Sequence, residues 1–258
     1  MSMLDAFYVQ QEAIVTARQS VRNILTKLGI RKTPQQNTML DIPKEVQQLI
    51  RDVDSYTMTS PERINALWEA TQYVARANIP GSFVECGVWR GGSMMVVAKT
   101  LLSLNDTSRD LYLFDTFEGM TTPTERDVAY NGTSALAFFE TRDDWCAASL
   151  VDVETNMKTT GYPDHLIHYV RGPVEETIPE HIPDEIALLR LDTDWYASTK
   201  HELLHLYPRL VMGGVLILDD YGHWEGSRGA VDEYFKEHQV VAPFLRIDSA
   251  GRILIKTA

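Results

Sequence analysis

The chain predicts an α/β protein: a doubly wound, mostly parallel sheet that closes with an antiparallel hairpin and is preceded by helices. Three observations carry that expectation. From Phe83 onward, short apolar runs alternate with longer segments of helical periodicity, the pattern of βαβ units around a parallel sheet. Two of these runs, Leu189-Arg190-Leu191-Asp192-Thr193-Asp194 and Val215-Leu216-Ile217-Leu218-Asp219-Asp220, stop in acids. The last two runs, Phe244 to Ile247 and Ile253 to Ile255, are joined across Asp248-Ser249-Ala250-Gly251, too short a link for a parallel crossover.

Taken in order, Leu4, Phe7, Val15, Val21, Ile24, Leu25 and Leu28 have helical spacing that stops at Gly29, and the polar stretch Arg31 to Asn37 reads as a loop. A short helix follows from Pro43 to Ile50. Thr59-Ser60-Pro61-Glu62 then looks like a helix start, with proline in the first turn and a capping box, and this helix should run to about Ala77. Strands are expected at Phe83 to Cys86, Leu111 to Phe114, Ile167 to Val170, Ala187 to Leu191 and Val215 to Leu218, with helices between and one more near Ala230 to Lys236. A dinucleotide-binding Rossmann sheet would finish on another crossover. The hairpin ending instead predicts the Rossmann-like class I methyltransferase arrangement. We expect an N-terminal helical extension over 1–55, acting as a lid or an oligomer contact, and a catalytic domain over 56–258.

At 258 residues the chain can bury one large core, and no Gly/Ser/Pro-rich linker interrupts it. A formal charge of -12 disfavours nucleic acid and anionic membranes, both of which are bound through clustered Lys and Arg. No apolar stretch is long enough to span a bilayer, and the N-terminus lacks a basic segment followed by an apolar one. The expectation is a cytoplasmic homo-oligomer acting on a small molecule. Cys86 and Cys146 are expected as free thiols, since a core of this size needs no disulfide framework.

If the two acid-tipped strands are neighbours, up to four carboxylates share the crevice at the carboxyl ends of the sheet. Each like-charge pair at about 4 Å costs roughly 4 kcal/mol at an effective dielectric near 20. Such a cluster needs shared protons or a hard cation, and we read it as a Mg²⁺ site, because carboxylate oxygens suit hard cations. Val84-Glu85-Cys86-Gly87-Val88-Trp89-Arg90-Gly91-Gly92-Ser93 lies between a strand and a helix. Its glycines let backbone approach a ligand, and the helix N-terminus offers N–H groups to a carboxylate. A pyrophosphate fingerprint, G-x-G-x-x-G, is absent. In Leu113-Phe114-Asp115-Thr116-Phe117-Glu118-Gly119-Met120 an acid again ends a strand, where α/β nucleoside binders hold ribose hydroxyls; the bland alternative for Asp115 is a helix cap. Together the two motifs imply a nucleoside without phosphates.

These motifs, with L-R-L-D-T-D-W-Y-A-S-T and Y-P-R-L-V-M-G-G-V-L-I-L-D-D-Y, resemble the macrocin O-methyltransferase family over about residues 55 to 258, in matching order. That family methylates deoxysugar hydroxyls of macrolides and related natural products, using S-adenosylmethionine and Mg²⁺. The resemblance implies that Glu85 and Gly87 lie beside the methionine part of the cofactor, Asp115 on its ribose, and Gly172 to Val174 near its adenine. It further implies Thr57, Met58, Trp89, Ser93, Thr116, Phe117 and Asp192 around the cofactor. Asp192, Asp219 and Asp220 become metal ligands and Asp194 the general base.

A sugar hydroxyl is a poor nucleophile until a metal lowers its pKa and a base accepts its proton, so the acids suit that chemistry. Asp194 could equally be a fourth metal ligand or a hydrogen-bond acceptor for substrate. His223 could be a ligand, a proton relay or a substrate donor, or an exposed loop histidine. Trp145, Trp195, Tyr196, Tyr221 and Trp224 are candidates for an apolar pocket wall, though aromatic residues usually belong to the core. Arg90 and Arg228 are expected to pair with nearby acids. D-x-D acids also serve metal-dependent hydrolases and glycosyltransferases, which leave the glycine motif unexplained. In a non-catalytic nucleoside-binding partner protein the acids would only cap helices. The acceptor has no motif: 1 to 55 and Thr121 to Ser149 are where its pocket would lie.

Overall fold

Every residue of strand β1 (Ser82–Cys86) and of strand β4 (Ile186–Leu191) is buried, as befits the centre of a parallel sheet covered on both faces. The computed structural model describes residues 39–141 and 145–257; the helix expected at 4–28 and the loop at 31–37 lie outside them. The chain divides after Asp41, and Ile42–Ala258 forms one compact unit. That unit takes in helix α1 (Lys44–Val53), which buries Val46, Ile50 and Val53 at helical spacing although the sequence reading grouped it with the extension.

Helix α2 (Pro61–Arg76) begins where Ser60-Pro61 predicts, with the Ser60 hydroxyl accepting from the Arg63 backbone N–H at 3.1 Å. The capping box is only half made, because the third helical residue is Arg63 and carries no acid to reach back. The chain then alternates: β1, α3 (Gly92–Ser103), β2 (Leu111–Asp115), α4 (Ala135–Phe139), α5 (Leu150–Lys158), β3 (Ile167–Arg171), α6 (Val174–Thr177), β4, α7 (Tyr196–Leu206), β5 (Leu210–Leu218), α8 (Glu225–Glu237), β6 (Leu245–Arg246) and β7 (Arg252–Ile255).

The seven strands order as β3-β2-β1-β4-β5-β7-β6. The first five run parallel, and β7 pairs antiparallel with both β5 and β6. This is the class I methyltransferase topology that the closing hairpin predicts. Three boundaries differ from the periodicity. Strand β5 starts at Leu210, ahead of its glycine pair, and Gly213 takes φ 81 inside it. Helix α8 starts at Glu225, ahead of the expected Ala230, and its first turn gives no apolar signal because it carries Gly226, where a Cβ would lie 2.1 Å from Asp127 Oδ1. Strand β6 shrinks to two residues at the sheet edge.

Alternation along the strands splits their side chains between two faces. Val84, Cys86, Leu189, Leu191, Leu216 and Leu218 pack with Leu203 and Leu206 of α7 and with Val231 and Tyr234 of α8. The opposite parity carries two charged residues through the middle of the sheet, Glu85 and Arg190, which stand directly across from each other in the β1–β4 register.

Candidate active site

The strand order reverses between β1 and β4, since the chain leaves β1 toward β2 and β3 and later returns to β4 and β5 on the other side. A crevice opens there above the carboxyl ends of the strands. It holds a cleft of about 410 Å³. Of the residues expected from sequence, Thr57, Met58, Gly87, Trp89, Ser93, Asp115, Asp192, Asp194, Asp219, Asp220 and His223 line it.

The acids are gathered as expected, but they bring their own cations. Arg190, 3 % exposed, places Nη1 2.5 Å from Glu85 Oε1 and 2.8 Å from Asp192 Oδ2, and Nη2 2.6 Å from Asp219 Oδ1. Arg63 from α2 forms a second ion pair with Asp219 and reaches Asp248 at 3.0 Å. Thr59 Oγ1 also donates to Asp219, at 3.2 Å. Part of the charge compensation expected from shared protons or a hard cation is therefore supplied by the chain itself: two guanidiniums oppose the four carboxyls of Glu85, Asp192, Asp219 and Asp248. An arginine inside an apolar run is a buried charge seeking partners, and the register supplies them.

Negative charge remains in excess. Burial, reinforced by Asp219 and Asp220, pushes the Asp192 carboxyl well above its ordinary range despite Arg190. Burial also raises Asp220, which shares a hydrogen bond with Asp194, and raises Asp194 to about 7, with Asp192 the largest charge contribution. Single oxygens of Asp192, Asp219 and Asp220 lie within 4.8 Å of one another. Oδ2 of Asp220 is buried with no hydrogen-bond partner. A buried, unpartnered carboxylate oxygen beside two more carboxylates is a donor set that fits a hard, oxygen-seeking cation.

Asp194 leaves strand geometry as its proposed role requires. It adopts φ 69, and Trp195 N–H donates across it to the Thr193 carbonyl at 2.8 Å. Trp89 (φ 48), Phe117 (φ 54) and Cys146 (φ 54) are also left-handed, all on loops around the crevice. The remaining non-glycine cases, Asn78, Asn105 and Gln239, each follow the cap of a helix, where that conformation is routine. Left-handed backbone without such a reason concentrates at the cleft.

Asp115 ends β2 and serves as a backbone acceptor. Its Oδ2 accepts from the N–H groups of Val88 (2.7 Å) and Trp89 (3.0 Å), and its Oδ1 from Phe117 N–H at 2.7 Å. It thus holds together the two loops that follow β1 and β2 while still facing the cleft. Gly87 (φ 81) is required by the protein itself: a Cβ there would lie 2.1 Å from the Asp192 carbonyl oxygen. At Gly92 the same atom would meet the Tyr56 carbonyl oxygen at 2.5 Å.

A smaller hollow of about 60 Å³ adjoins the cleft and shares Gly87, Asp115 and Asp192 with it. Thr116, Gly172 and Val174 line this hollow. Glu85 and Phe117 line neither space. Glu85 is buried behind Arg190, with its pKa raised to about 7 by desolvation. Phe117 is buried and contributes its backbone N–H to Asp115.

Of the five aromatic candidates, Trp145 and Trp224 line the cleft. Trp195 is buried behind them, with ring centroids 5.5 Å from Trp145 and 5.1 Å from Trp224, and its Nε1–H donates to the Thr121 carbonyl at 3.0 Å. Trp224 also hydrogen-bonds the Asp194 carboxylate. Tyr196 and Tyr221 point elsewhere, to Glu233 (2.5 Å) and Asp232 (2.7 Å). His223 is exposed on the cleft wall, edge-on to Tyr130 and Trp224, and its pKa is lowered by burial of the ring and by Arg63. Sequence reasoning missed Arg63, Arg190, Thr59, Met120, Cys146 and Ala250 on the cleft wall. Of these only Arg190 leaves a signal in the sequence, as a cation inside an otherwise apolar strand.

The stretch from 121 to 149, silent in sequence, is tied to the site by backbone. Ala129 bridges Trp224, Tyr130 N–H donates to the His223 carbonyl at 3.0 Å, and buried Asp127 accepts from the Tyr196 N–H that opens α7 at 2.8 Å. Arg90 pairs with Asp152 at 2.8 Å and Arg228 with Asp232 at 4.0 Å, away from the chemistry. Both cysteines are free.

The model of the family described as macrocin-O-methyltransferase (TylF) matches residues 3–256. Demethyldecarbamoylnovobiocin O-methyltransferase of Streptomyces niveus is 30% identical over 210 residues, covering 81% of this chain and 79% of that protein. An 8-demethyl-8-(2,3-dimethoxy-alpha-L-rhamnosyl)-tetracenomycin-C 4'-O-methyltransferase of Streptomyces olivaceus is 30% identical over 235 residues, 90% of this chain and 88% of its own. Among solved structures, the O-methyltransferase NovP superposes with a TM-score of 0.71 at 29% identity, covering 79% of this chain and 83% of NovP.

Proposed function

The chain belongs to the macrocin O-methyltransferase family and takes its methyl group from S-adenosylmethionine; from this premise we propose that its acceptor is a sugar hydroxyl of a glycosylated natural product, activated by Mg²⁺ and deprotonated by Asp194. The observation that carries the reading is the convergence, in one crevice, of an unpartnered Asp220 oxygen with Asp192, Asp219 and a left-handed Asp194. The tetracenomycin relative, whose named acceptor carries a rhamnosyl group, supports the sugar assignment.

In this reading Asp192, Asp219 and Asp220 hold the cation. When bound, Mg²⁺ supplies the charge that lowers the pKa of an acceptor hydroxyl and stabilises its oxyanion. Arg190 keeps Asp192 and Asp219 from repelling one another apart and ties them to β1 through Glu85. Asp194, with a pKa near 7, is poised to take a proton at neutral pH. Thr57, Met58, Gly87, Trp89, Ser93 and Asp115 surround the methionine and ribose parts of the donor, and Thr116, Gly172 and Val174 its adenine. Trp145, Trp224 and His223 face the acceptor. Transfer is an in-line displacement at carbon, so the chain's task is to align sulfonium and oxygen and to remove one proton.

Assembly as a homo-oligomer in the cytoplasm and a lid or contact role for 1–55 belong to the same proposal, and light scattering on the purified protein tests the assembly. Among the described residues no helix is long and apolar enough to cross a membrane. The hydrolase, glycosyltransferase and non-catalytic readings gain no support from the family match. The deciding experiment incubates the protein with S-adenosylmethionine and neutral rhamnosides, with Mg²⁺ or with chelator, and follows products one methyl group heavier by mass spectrometry. Methylation that proceeds fully in chelator would overturn the metal part, and methylation confined to non-sugar hydroxyls the acceptor part.

A further inference from the structure

Glu202 is a buried carboxyl that the reaction above does not use. It sits on α7 with no exposure, its Oε1 accepts from the Thr193 hydroxyl at 2.9 Å, and its Oε2 is buried without a hydrogen-bond partner. Desolvation raises its pKa to about 8, so the side chain is a neutral acid at neutral pH. Thr193, the residue it holds, separates Asp192 from Asp194.

The local backbone explains why that grip matters. With Trp195 N–H bonded to the Thr193 carbonyl across Asp194 at φ 69, residues 193–195 form a γ-turn of the rare, strained kind. Such a conformation persists only where its surroundings over-determine it. Downstream, Trp195 is held by its indole bond to Thr121 and by two neighbouring tryptophans. Upstream, Asp192 N–H donates to the Cys86 carbonyl at 2.9 Å, and the Thr193 side chain is held by Glu202.

We propose that Glu202 is a positioning residue for methyl transfer: through the Thr193 hydroxyl it fixes the strained turn that aims the Asp194 carboxyl into the cleft. This inference rests on the reading of Asp194 as the base.

Crystal structures and steady-state kinetics of Glu202→Gln, Glu202→Leu and Thr193→Val test it, with S-adenosylmethionine as donor and phenyl α-L-rhamnoside as the acceptor probe. Glutamine preserves the acceptor for Thr193, so Glu202→Gln should keep the Asp194 φ and stay within about twofold of wild-type kcat. Glu202→Leu and Thr193→Val should each relax Asp194 out of the left-handed region and lower kcat at least about tenfold, with donor affinity and acceptor KM within about twofold. The double variant should lose no more than either single one, since both break the same bond. A left-handed Asp194 with wild-type kcat in Glu202→Leu overturns the proposal, as does a loss in Glu202→Gln equal to that in Glu202→Leu. If Glu202→Leu does not fold, Thr193→Val, at a partly exposed site, decides by the same readouts. Full activity of Asp194→Asn would fail the base assignment itself; an inactive Asp194→Asn beside unchanged Thr193→Val and Glu202→Leu would fail the positioning role alone.

Discussion

The guanidinium of Arg190 lies 2.6 Å from the Asp219 carboxylate, so a side chain of β4 clamps the tip of β5 from within the sheet. The same guanidinium binds Glu85 on β1 and Asp192 on its own strand, and three strand ends thereby share one buried charge centre. Breaking a buried pair by removing one partner costs about 3–5 kcal/mol. Arg190→Met should therefore lower the melting temperature markedly and leave the carboxylates to take up protons. Calorimetry showing a melting temperature within a degree or two of wild type would refute the clamp.

The two neighbouring acids of β5 should respond differently to neutralisation. Asp219→Asn removes a partner of both Arg190 and Arg63 and should cost stability as well as turnover. Asp220 contributes an oxygen with no protein partner, so Asp220→Asn should leave the melting temperature near wild type and abolish most Mg²⁺-dependent turnover. Thermal melts with activity assays across a Mg²⁺ titration check the contrast, and equal destabilisation by the two changes would count against it.

For Asp194→Asn the expectation is a fall in kcat of roughly 10² to 10⁴, with S-adenosylmethionine and Mg²⁺ affinities close to wild type. If metal affinity and turnover vanish together, Asp194 is a ligand, and His223 on the cleft wall is the next candidate for the base.

Asp115→Ala should weaken S-adenosylmethionine binding by about 1.5 to 3 kcal/mol, the contribution of a charged acceptor. It also frees the Val88, Trp89 and Phe117 N–H groups, so hydrogen exchange at those three amides should quicken in the variant. Unchanged donor affinity with faster exchange would reduce Asp115 to a loop clasp.

Stability should fall as pH rises from about 5 toward 8 in the ligand-free protein. Glu202 titrates near 8 when folded, against 4.5 for an ordinary glutamate. Between those values the folded state holds a proton that the unfolded chain has released, so raising pH favours unfolding. Glu202→Gln removes that difference and should flatten the decline; a melting-temperature profile in pH parallel to wild type would contradict the assignment.

The strands and their acidic tips were legible because a strand's polarity changes abruptly where it leaves the core, and the short closing link fixed the hairpin's direction. Arg190 was visible only as an oddity: its partners sit on β1 and β5, and the register that joins them is a tertiary fact. Gly87 and Asp115 read from sequence as ligand contacts, yet the backbone also makes demands on both. A carbonyl crowds the one, and three N–H groups bind the other. The 121–149 stretch stayed silent because much of its tie to the site runs through backbone groups that any sequence carries, such as Tyr130 N–H to the His223 carbonyl.

The tryptophans give the protein a built-in optical gauge. Of five in the chain, Trp89, Trp145 and Trp224 line the cleft and Trp195 meets the last two edge-on from behind, leaving Trp68 alone on a separate groove beside α1 and α3. Most of the intrinsic emission therefore originates within reach of whatever occupies the site. Donor, acceptor and product can each be followed by quenching or spectral shift without a label, and Trp68→Phe would strip away most of the background.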